Sequence, residues 1–380
     1  MCCQTMHLVF TVNADWVFRI HFLPFARRLR DEGFQITLIA RDTGDAFAIR
    51  QQGLKFIHWP VSRSGKNPVL EAYSLCALFR HYRALGPDIV HHIGVKAVSY
   101  GSVVSRIFHI PAVHMFIGLG FTFRNDQGRS TRLFLQPWLR RLPTDRRSVL
   151  VFQNEADRAY ALGHGWGVRD RSYVVGGVGV DTGSFSFEPE PAFPPYQVLL
   201  ASRMLWDKGV GEFVEAARIL RRKWGSRVRF ILAGECDTGN PAAVPRKTLD
   251  AWKREGIVQW LGFCYGMPQL LKTSHLVVLP SYYGEGVPKI LLEAAMAGRA
   301  AVTTDWPGCR DAVVDQETGV LVPVRNVRAL AEAIDFLLEN SDVRRRMGEN
   351  ARRRAEAEFT VEEFTQKMLA VYSRVLHGAS

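Results

Sequence analysis

The sequence predicts an α/β protein built from two doubly wound, parallel-sheet domains. Short apolar runs alternate with stretches of helical periodicity through both halves of the 380-residue chain, and this alternation is typical of parallel sheets covered by helices. Residues 184–196 (SFSFEPEPAFPPY) contain four prolines and no periodic pattern, so we interpret them as a linker. Because ligands of such sheets bind at the carboxyl ends of the strands, the loops that follow the strands are the expected binding positions.

The N-terminal domain is predicted to span residues 1–183. It opens with a buried strand at residues 7–12 (HLVFTV), a loop at residues 13–16 and a helix at residues 17–32 that ends at Gly33. The elements that follow are predicted at residues 34–40, 55–57, 69–85, 88–92, 95–108, 112–116, 148–152, 155–162 and 173–175.

The C-terminal domain is predicted to span residues 197–358. Its first elements are expected at residues 197–201, 209–223, 228–232, 245–255, 258–261, 267–273, 276–279 and 319–322. Residues 327–376 have helical periodicity throughout. The last part of this stretch, residues 361–376, carries apolar side chains at helical spacing, namely Phe364, Met368, Val371 and Val375.

The most informative stretch is residues 275–306, which alternates strand, loop, helix and strand. Its loop is broken by Pro280 and Gly284, and its helix is predicted to begin at Pro288 and to end at Gly298. A loop that leads into a helix N-terminus collects free backbone N–H groups under a partial positive charge. Such a loop suits phosphate or another anion.

The run Glu285–Glu293 (EGVPKILLE) resembles the E-x7-E motif of the retaining glycosyltransferases of family 4 (group 1), which use nucleotide sugars. Residues 303–310 (TTDWPGCR) are similar to those of members that build bacterial capsules, O-antigens and lipid-linked oligosaccharides. The resemblance implies the GT-B fold, with two facing Rossmann-like domains. It also implies that the helix at residues 361–376 crosses back to the N-terminal domain.

The same resemblance implies a donor site in the C-terminal domain. Arg203 and Lys208 follow the first strand of that domain and match the family's R-x4-K-G element. An arginine fork and a lysine charge are suited to a diphosphate. Glu285 would contact the transferred sugar, and Glu293 would accept hydrogen bonds from the nucleotide ribose. The other donor-binding residues implied by the match are Gly286, Val287, Pro288, Lys289, Gly234 and Gly262.

Each of these residues also has an ordinary structural interpretation. Lys289 and Glu293 are spaced as an i,i+4 ion pair on a helix. Arg203 and Lys208 could form surface ion pairs with Asp207, and the glycines could be turn residues. The apolar neighbours of Glu293 favour a position low in a cleft, where a carboxylate needs a partner.

Two residues of the N-terminal domain are further candidates. Asn13 lies in the first strand-to-helix loop, where the family often has a glycine-rich element against the diphosphate, but this sequence has no glycine before Gly33. His114, in the run PAVHMFIGLGF, is expected at the end of a strand and resembles a family histidine close to the sugar and the acceptor. A histidine in an apolar strand is also often structural, so both interpretations stay open.

The charge distribution predicts an anionic partner for the N-terminal domain. The formal net charge is +12, and residues 1–185 hold 23 of the 49 Lys and Arg but only 13 of the 37 Asp and Glu. The densest basic segment, residues 124–147, interleaves arginines with Phe, Leu and Trp, which fits anionic lipid head groups. Nucleic acid is the rival partner, and a solvated basic face is a third possibility. Because no nucleic-acid motif is recognised, we expect an anionic membrane surface and no nucleic acid.

No apolar run approaches the roughly 20 residues that span a bilayer. The N-terminus (MCCQTMHLVFTV) reads as a first strand rather than as a signal peptide. We therefore expect a cytoplasmic protein, peripheral at the inner face of the cell membrane. The six cysteines form no C-x-x-C pair, and no D-x-D occurs, so we expect neither a bound metal nor another cofactor.

The predicted function is retaining transfer of a hexose or N-acetylhexosamine. The donor would be a nucleoside-diphosphate sugar, for which a UDP-sugar is favoured, and the acceptor a polyprenyl-diphosphate-linked saccharide. Arg203 and Lys208 would stabilise the leaving diphosphate. Two alternatives stay open: a nucleotide-sugar 2-epimerase on the same fold, and a non-catalytic protein that binds sugar nucleotides.

Overall fold

The computed structural model describes residues 5–62, 67–120, 136, 139–140, 142, 146–191 and 194–378. The chain divides into two compact units. The first unit comprises Met1–Gly179, Gly284–Gly286 and Val361–Ser380, and the second comprises Val180–Tyr283 and Val287–Thr360.

The first unit contains a sheet of parallel strands. The strands are β1 (His7–Val12), β2 (Gln35–Ala40), β3 (Lys55–His58), β4 (Ile89–Ile93), β5 (Ala112–Phe116), β6 (Ser148–Phe152) and β7 (Ser172–Val174). Their order is β3-β2-β1-β4-β5-β6-β7. In this doubly wound order the winding reverses between β1 and β4, which is where such folds open a crevice for ligands.

The helices of the first unit correct one prediction. They are α1 (Asp15–His21), α2 (Leu23–Asp31), α3 (Ala46–Gln51), α4 (Pro68–Leu85), α5 (Val95–Ile107) and α6 (Glu155–Gly163). The single helix predicted at residues 17–32 is wrong, because α1 and α2 are separated at Phe22. Pro24 explains the break, since its ring removes an N–H donor and clashes with the preceding turn.

The second unit repeats this strand order with six parallel strands. They are β8 (Tyr196–Ala201), β9 (Val228–Ala233), β10 (Gln259–Trp260), β11 (Leu276–Leu279), β12 (Ala301–Thr304) and β13 (Gly319–Val322), in the order β10-β9-β8-β11-β12-β13. The helices are α7 (Val210–Trp224), α8 (Arg246–Arg254), α9 (Met267–Thr273), α10 (Lys289–Met296), α11 (Cys309–Ala312), α12 (Val327–Glu339) and α13 (Ser341–Glu358). The prediction of two Rossmann-like α/β domains is confirmed.

The stretch predicted to be helical at residues 327–376 consists of three helices. Helices α12 and α13 meet at Asn340, whose φ and ψ of −106° and 72° are not helical. The third helix, α14 (Val361–His377), belongs to the first unit. There the Phe364 ring packs edge-on against Phe25 of α2, with 4.9 Å between ring centroids, so the last helix completes the core of the first unit.

The proline-rich segment interpreted as a linker lies in the second unit. Glu190 forms a 2.7 Å ion pair with Arg344, and both side chains are at least nine-tenths buried. The buried Arg299 donates to the carbonyl oxygen of Glu188 over 2.9 Å. Arginines from two later elements therefore hold this irregular segment against the unit, which its lack of periodicity does not reveal.

In the part of the chain that the structure covers, no helix combines the length and apolar character needed to cross a membrane.

Candidate active site

The loop after β8 brings two predicted cations together. The Arg203 guanidinium carbon and the Lys208 Nζ lie 5.6 and 5.2 Å from the ring centroid of Tyr283. Lys208 is 8% exposed. Arg203 Nη1 also forms a 2.9 Å ion pair with Asp237 Oδ2, rather than with Asp207. The site therefore concentrates positive charge at the carboxyl end of the first strand, where an anion can bind.

Gly209 allows this loop to fold. Its φ of +74° is left-handed, and a Cβ at this position would lie 2.3 Å from the carbonyl oxygen of Pro280. The amide of Tyr282 donates to the Asp207 carbonyl over 2.9 Å. Because β8 and β11 are neighbours, the loops after the two strands meet, and only glycine fits at the crossing.

Gly234 has a packing reason of its own. Its φ is +139°, and a Cβ here would lie 1.8 Å from the Ser202 carbonyl oxygen. Its amide donates to the Gly262 carbonyl over 2.6 Å. Gly262 has a φ of +70°, and a Cβ added there would meet no described atom within 4 Å. Gly234 therefore allows the loops after β8 and β9 to pack closely, whereas there is open space next to Gly262. The role of both glycines in donor binding stays a prediction.

Helix α10 supplies the second part of the predicted donor site. Pro288 is its N-cap, one residue before the helix, with an extended φ and ψ of −63° and 116°. Val287 is buried before it. Lys289 Nζ lies 3.4 Å from Glu293 Oε1, and these side chains are only 17% and 13% exposed. Burial raises the pKa of Glu293, and Lys289 opposes the shift, so the ion-pair interpretation is correct without excluding a ligand role.

Arg325 and Tyr282 lie beside the loop that carries Arg203 and Lys208, and the sequence did not predict them as part of the site. The Arg325 guanidinium lies 4.5 Å from the ring centroid of Tyr282, and Arg325 has a left-handed φ of 56°. Burial raises the pKa of Asp207 and of Glu212, and the charge of Arg325 opposes both shifts. Arg325 follows β13 and so comes from the opposite half of the sheet. The only sequence signal was its place just after a strand.

Glu285 and Gly286 are grouped with the first unit, whereas Arg203, Lys208 and Glu293 lie in the second. Glu285 is half-buried. The residues predicted to bind the diphosphate (Arg203 and Lys208) and the ribose (Glu293) thus lie within one unit. The predicted contact of Glu285 with the sugar stays a prediction.

His114 lies in the middle of β5 rather than at its end, because Met115 and Phe116 continue the strand. It is 2% exposed. Its Nδ1 lies 2.9 Å from Nδ1 of His92 on β4. Burial lowers the pKa of His114 to about 3, so the ring is neutral near pH 7. This histidine is part of a buried polar cluster and not an isolated strand residue.

The loop after β1 is organised by Asp15 and not by Asn13. Asn13 is exposed, whereas Asp15 is fully buried and accepts 2.9 Å hydrogen bonds from the amides of Thr43 and Asp45. Burial acts to raise the pKa of Asp15, but its hydrogen bonds, first those from Thr43, lower it overall. The Asp15 carboxylate thus ties the first loop to residues 43 and 45 by hydrogen bonds. Asp15 was missed because its partners are distant in sequence.

Among the residues whose positions are described, no cluster of three His, Cys, Asp or Glu side chains is arranged to hold a metal ion.

Comparison with known proteins agrees with this architecture. A family model described as glycosyl transferases group 1 matches residues 185–354, and a glycosyl transferase 4-like model matches residues 7–154. Among solved structures, sucrose-phosphate synthase from Thermosynechococcus elongatus superposes with a TM-score of 0.81 at 19% identity, covering 99% of this chain and 100% of the other. Anabaena Alr3699/HepE, in complex with UDP and glucose, has a TM-score of 0.78 at 18% identity, covering 97% and 99%.

Two curated relatives extend over nearly the whole chain. The N,N'-diacetylbacillosaminyl-diphospho-undecaprenol alpha-1,3-N-acetylgalactosaminyltransferase of Campylobacter jejuni is 28% identical, covering 94% of this chain and 96% of its own. The putative glycosyltransferase EpsD of Bacillus subtilis is 24% identical, with 97% of each chain covered. The fold and these matches define an enzyme of the glycosyltransferase class with the GT-B fold. The chain is a glycosyltransferase whose residues 185–354 match the group 1 family.

Proposed function

We propose that the enzyme transfers a hexose or an N-acetylhexosamine, with retention of the anomeric configuration, from a UDP-sugar to a polyprenyl-diphosphate-linked saccharide. The observation that carries the proposal is the convergence of Arg203 and Lys208 on Tyr283 at the carboxyl end of β8. Two cations on a short loop are suited to the two phosphates of a nucleoside diphosphate.

The cations act on the leaving group. When the bond between the anomeric carbon and the diphosphate oxygen breaks, negative charge grows on that oxygen. Arg203 and Lys208 stabilise this charge from a partly buried site, where electrostatic interactions are stronger than in water. Their positive charge takes the part that a divalent cation plays in other transferases, so the reaction proceeds in EDTA.

Retention follows when bond breaking and bond forming occur on the same face of the sugar. The acceptor hydroxyl attacks from the side that the diphosphate leaves, and its proton passes to the departing phosphate oxygen. The atoms balance without a protein nucleophile. Glu285 would then orient the sugar hydroxyls rather than form a covalent intermediate.

The acceptor class is supported by the Campylobacter jejuni relative, whose name specifies an N-acetylgalactosaminyl transfer to a diphospho-undecaprenol-linked sugar. It is 28% identical over 94% of this chain. A lipid-linked acceptor brings the enzyme to a membrane surface, which agrees with the basic excess of the N-terminal half.

The basic segment at residues 124–147 lies mostly outside the described residues, so its role rests on sequence. We expect Arg140→Glu with Arg141→Glu to weaken co-sedimentation with vesicles that contain anionic lipid, by about tenfold at low salt. Lys253→Glu with Arg254→Glu, on exposed positions of α8, makes the same charge change in the second unit and is the control. An equal loss of vesicle binding in both variants would show that the effect depends on the net charge of the protein and not on the basic segment.

The function is tested by nucleotide release from a panel of UDP- and GDP-sugars in EDTA and mild detergent, with and without a short polyprenyl-diphosphate saccharide. We expect UDP release that requires the lipid acceptor, and NMR of the product should show the anomeric configuration of the donor. A product with inverted anomeric configuration would refute the retaining mechanism but would still show that the protein is a glycosyltransferase.

The two alternatives give different results in the same assay. An epimerase would convert the sugar nucleotide without acceptor, and its product would be a changed sugar still attached to UDP. A non-catalytic binding protein would bind a sugar nucleotide and release nothing. Glu285→Ala with full transfer activity would show that Glu285 is not part of the site.

A further inference from the structure

A row of polar side chains crosses the centre of the first sheet. The strand registers place Thr11 of β1 beside His92 of β4, and His92 beside His114 of β5. All three side chains are at least 98% buried. Their neighbours in the sheet are largely apolar, so this row is an exception that needs partners of its own.

Tyr82 of α4 links the row into a chain of hydrogen bonds. Its hydroxyl lies 2.8 Å from Thr11 Oγ1 and 2.8 Å from His92 Nε2. His92 Nδ1 in turn lies 2.9 Å from His114 Nδ1. The four groups form an unbranched line, Thr11–Tyr82–His92–His114. Within the described part of the chain, no hydrogen bond reaches Nε2 of His114.

When both histidine rings are neutral, the donors and acceptors along the line can be arranged in only two directions. In the first, Thr11 donates to Tyr82, Tyr82 donates to His92 Nε2, and His92 Nδ1–H donates to His114 Nδ1. His114 then carries its proton on Nε2. In the second direction every bond is reversed, and Nε2 of His114 is a bare acceptor.

Counting hydrogens separates the two directions. The second leaves the Thr11 hydroxyl hydrogen buried with no acceptor among the described residues, because Tyr82 is the partner of Thr11 Oγ1. The first direction leaves only the Nε2–H of His114 without a partner inside the row. In the described part of the chain, Nε2 of His114 is not among the fully buried side-chain nitrogen and oxygen atoms that lack a hydrogen-bond partner, so water or a ligand can accept this hydrogen, whereas the Thr11 hydroxyl is fully buried. Since an unsatisfied buried donor is unfavourable, the first direction is the stable one.

The ring of His92 is fixed by packing as well. A Cβ at Gly101 of α5 would lie 2.3 Å from His92 Cδ2 and Nε2, so the helix closes directly over the ring. Burial lowers the pKa of His92 well below its usual value, with His114 adding to the shift. Both rings are therefore neutral, as the proton count requires.

We propose that Tyr82 and His92 are positioning residues that hold His114 in its Nε2–H tautomer, so that His114 meets its ligand as a hydrogen-bond donor and not as a base. The ligand atom is an acceptor oxygen of a sugar hydroxyl. The proposal rests on the proposed function only for the identity of that ligand. The tautomer is a property of the free protein.

The tautomer is measured directly by long-range ¹H–¹⁵N NMR on protein labelled at the histidine ring nitrogens, with His114→Gln assigning the signal. We expect the wild-type His114 ring to show a protonated Nε2 and an unprotonated Nδ1. A protonated Nδ1 would overturn the proposal, whether or not the protein transfers sugar.

Tyr82→Phe tests the line, and the chain offers a matched control. Tyr372 of α14 bonds Nδ1 of His91 over 2.7 Å, so Tyr372→Phe removes the same hydroxyl from another buried histidine. We expect Tyr82→Phe to give mixed tautomers at His114 and Tyr372→Phe to leave the His114 pattern unchanged. A single Nε2–H pattern in Tyr82→Phe would refute the role of the line.

Kinetics then connects the tautomer to catalysis. We expect Tyr82→Phe to lower kcat by about tenfold, the low end of the loss seen when partners behind a metal-bound histidine are removed. Donor KM should change less than kcat, and Tyr372→Phe should keep kcat within about twofold. An unchanged kcat with mixed tautomers would show that the tautomer is irrelevant to turnover. Absence of transfer in the wild type would instead refute the proposed function while leaving the NMR result intact.

Discussion

The two units share one strand order but differ in the chemistry around their central strands. In the second unit the loop after the first strand carries Arg203 and Lys208 beside Tyr283. In the first unit neutral buried histidines lie on β4 and β5, and the first loop is tied by the Asp15 carboxylate. The comparison shows that one strand order supports loops of different charge, because the topology determines where the loops after the strands lie and the loop residues determine their charge.

The largest expected effect concerns the cations. We expect Arg203→Ala or Lys208→Ala to lower kcat/KM by roughly 100- to 1,000-fold, as when one group that stabilises transition-state charge is removed. Steady-state transfer assays measure this loss. Lys223→Ala, which removes a half-exposed lysine paired with Asp335, is the control and should stay within about twofold. A similar loss in all three would argue against a specific diphosphate site.

The next effect tests why the second unit uses glycine in its first loop. Gly209→Ala places a Cβ against the Pro280 carbonyl at a left-handed φ, so we expect a loss of about 3 kcal/mol in the free energy of unfolding. Gly86 also has left-handed φ and ψ, of 52° and 56°, but no described atom within 4 Å of an added Cβ. Gly86→Ala should therefore cost only about 1 kcal/mol. Urea denaturation compares the two, and equal losses would assign the effect to φ alone.

The first unit should respond to loss of its carboxylate instead. Asp15→Asn replaces an acceptor of backbone N–H groups by an amide that satisfies fewer of them, and we expect a loss of about 2 kcal/mol. Because the folded pKa of Asp15 is lowered, its contribution is present above the unfolded pKa and is lost as the pH falls through the folded pKa. The exposed Asp31→Asn is the control. If the loss did not shrink in acid, the charge of Asp15 would not be its cause.

The smallest effect concerns the ion pair of α10. The pKa of Glu293 is raised by burial, so the folded protein keeps this proton at a pH where the unfolded chain releases it. The stability of the wild type relative to Glu293→Gln should therefore fall as the pH rises through that window. Glu332→Gln removes an exposed i,i+4 partner of Arg328 and should show no such trend. Urea titrations at several pH values measure both, and a rising trend would contradict the buried position of Glu293.

Local patterns in the sequence were enough to predict most of the secondary structure and the two-domain class. Alternating apolar runs located the strands, because a strand buried on both faces has a near-continuous apolar sequence. The helix at residues 17–32 failed at Pro24, where a steric effect of one ring outweighed the periodicity around it. The E-x7-E run and the R-x4-K-G element located the donor candidates because both are short and contiguous.

Contacts between distant residues could not be predicted in the same way. Asp237 meets Arg203 only because β8 and β9 are neighbours in the sheet, and Arg325 reaches Tyr282 from the loop after β13. Likewise, the ion pair of Glu190 with Arg344 turns an apparent linker into part of the second unit. Local periodicity does not predict these pairs, since the contacts depend on the order of the strands in the sheet.

The sequence by itself determined the fold class and the family resemblance and named the candidate residues for a diphosphate, because these depend on local periodicity and on contiguous motifs. Only the tertiary structure decided that Asp15 accepts hydrogen bonds from the amides of Thr43 and Asp45, and that His114 stands at the end of a line through His92 and Tyr82 to Thr11. The physical reason is register: a shift of one residue between β4 and β5 would turn His92 and His114 to opposite faces of the sheet.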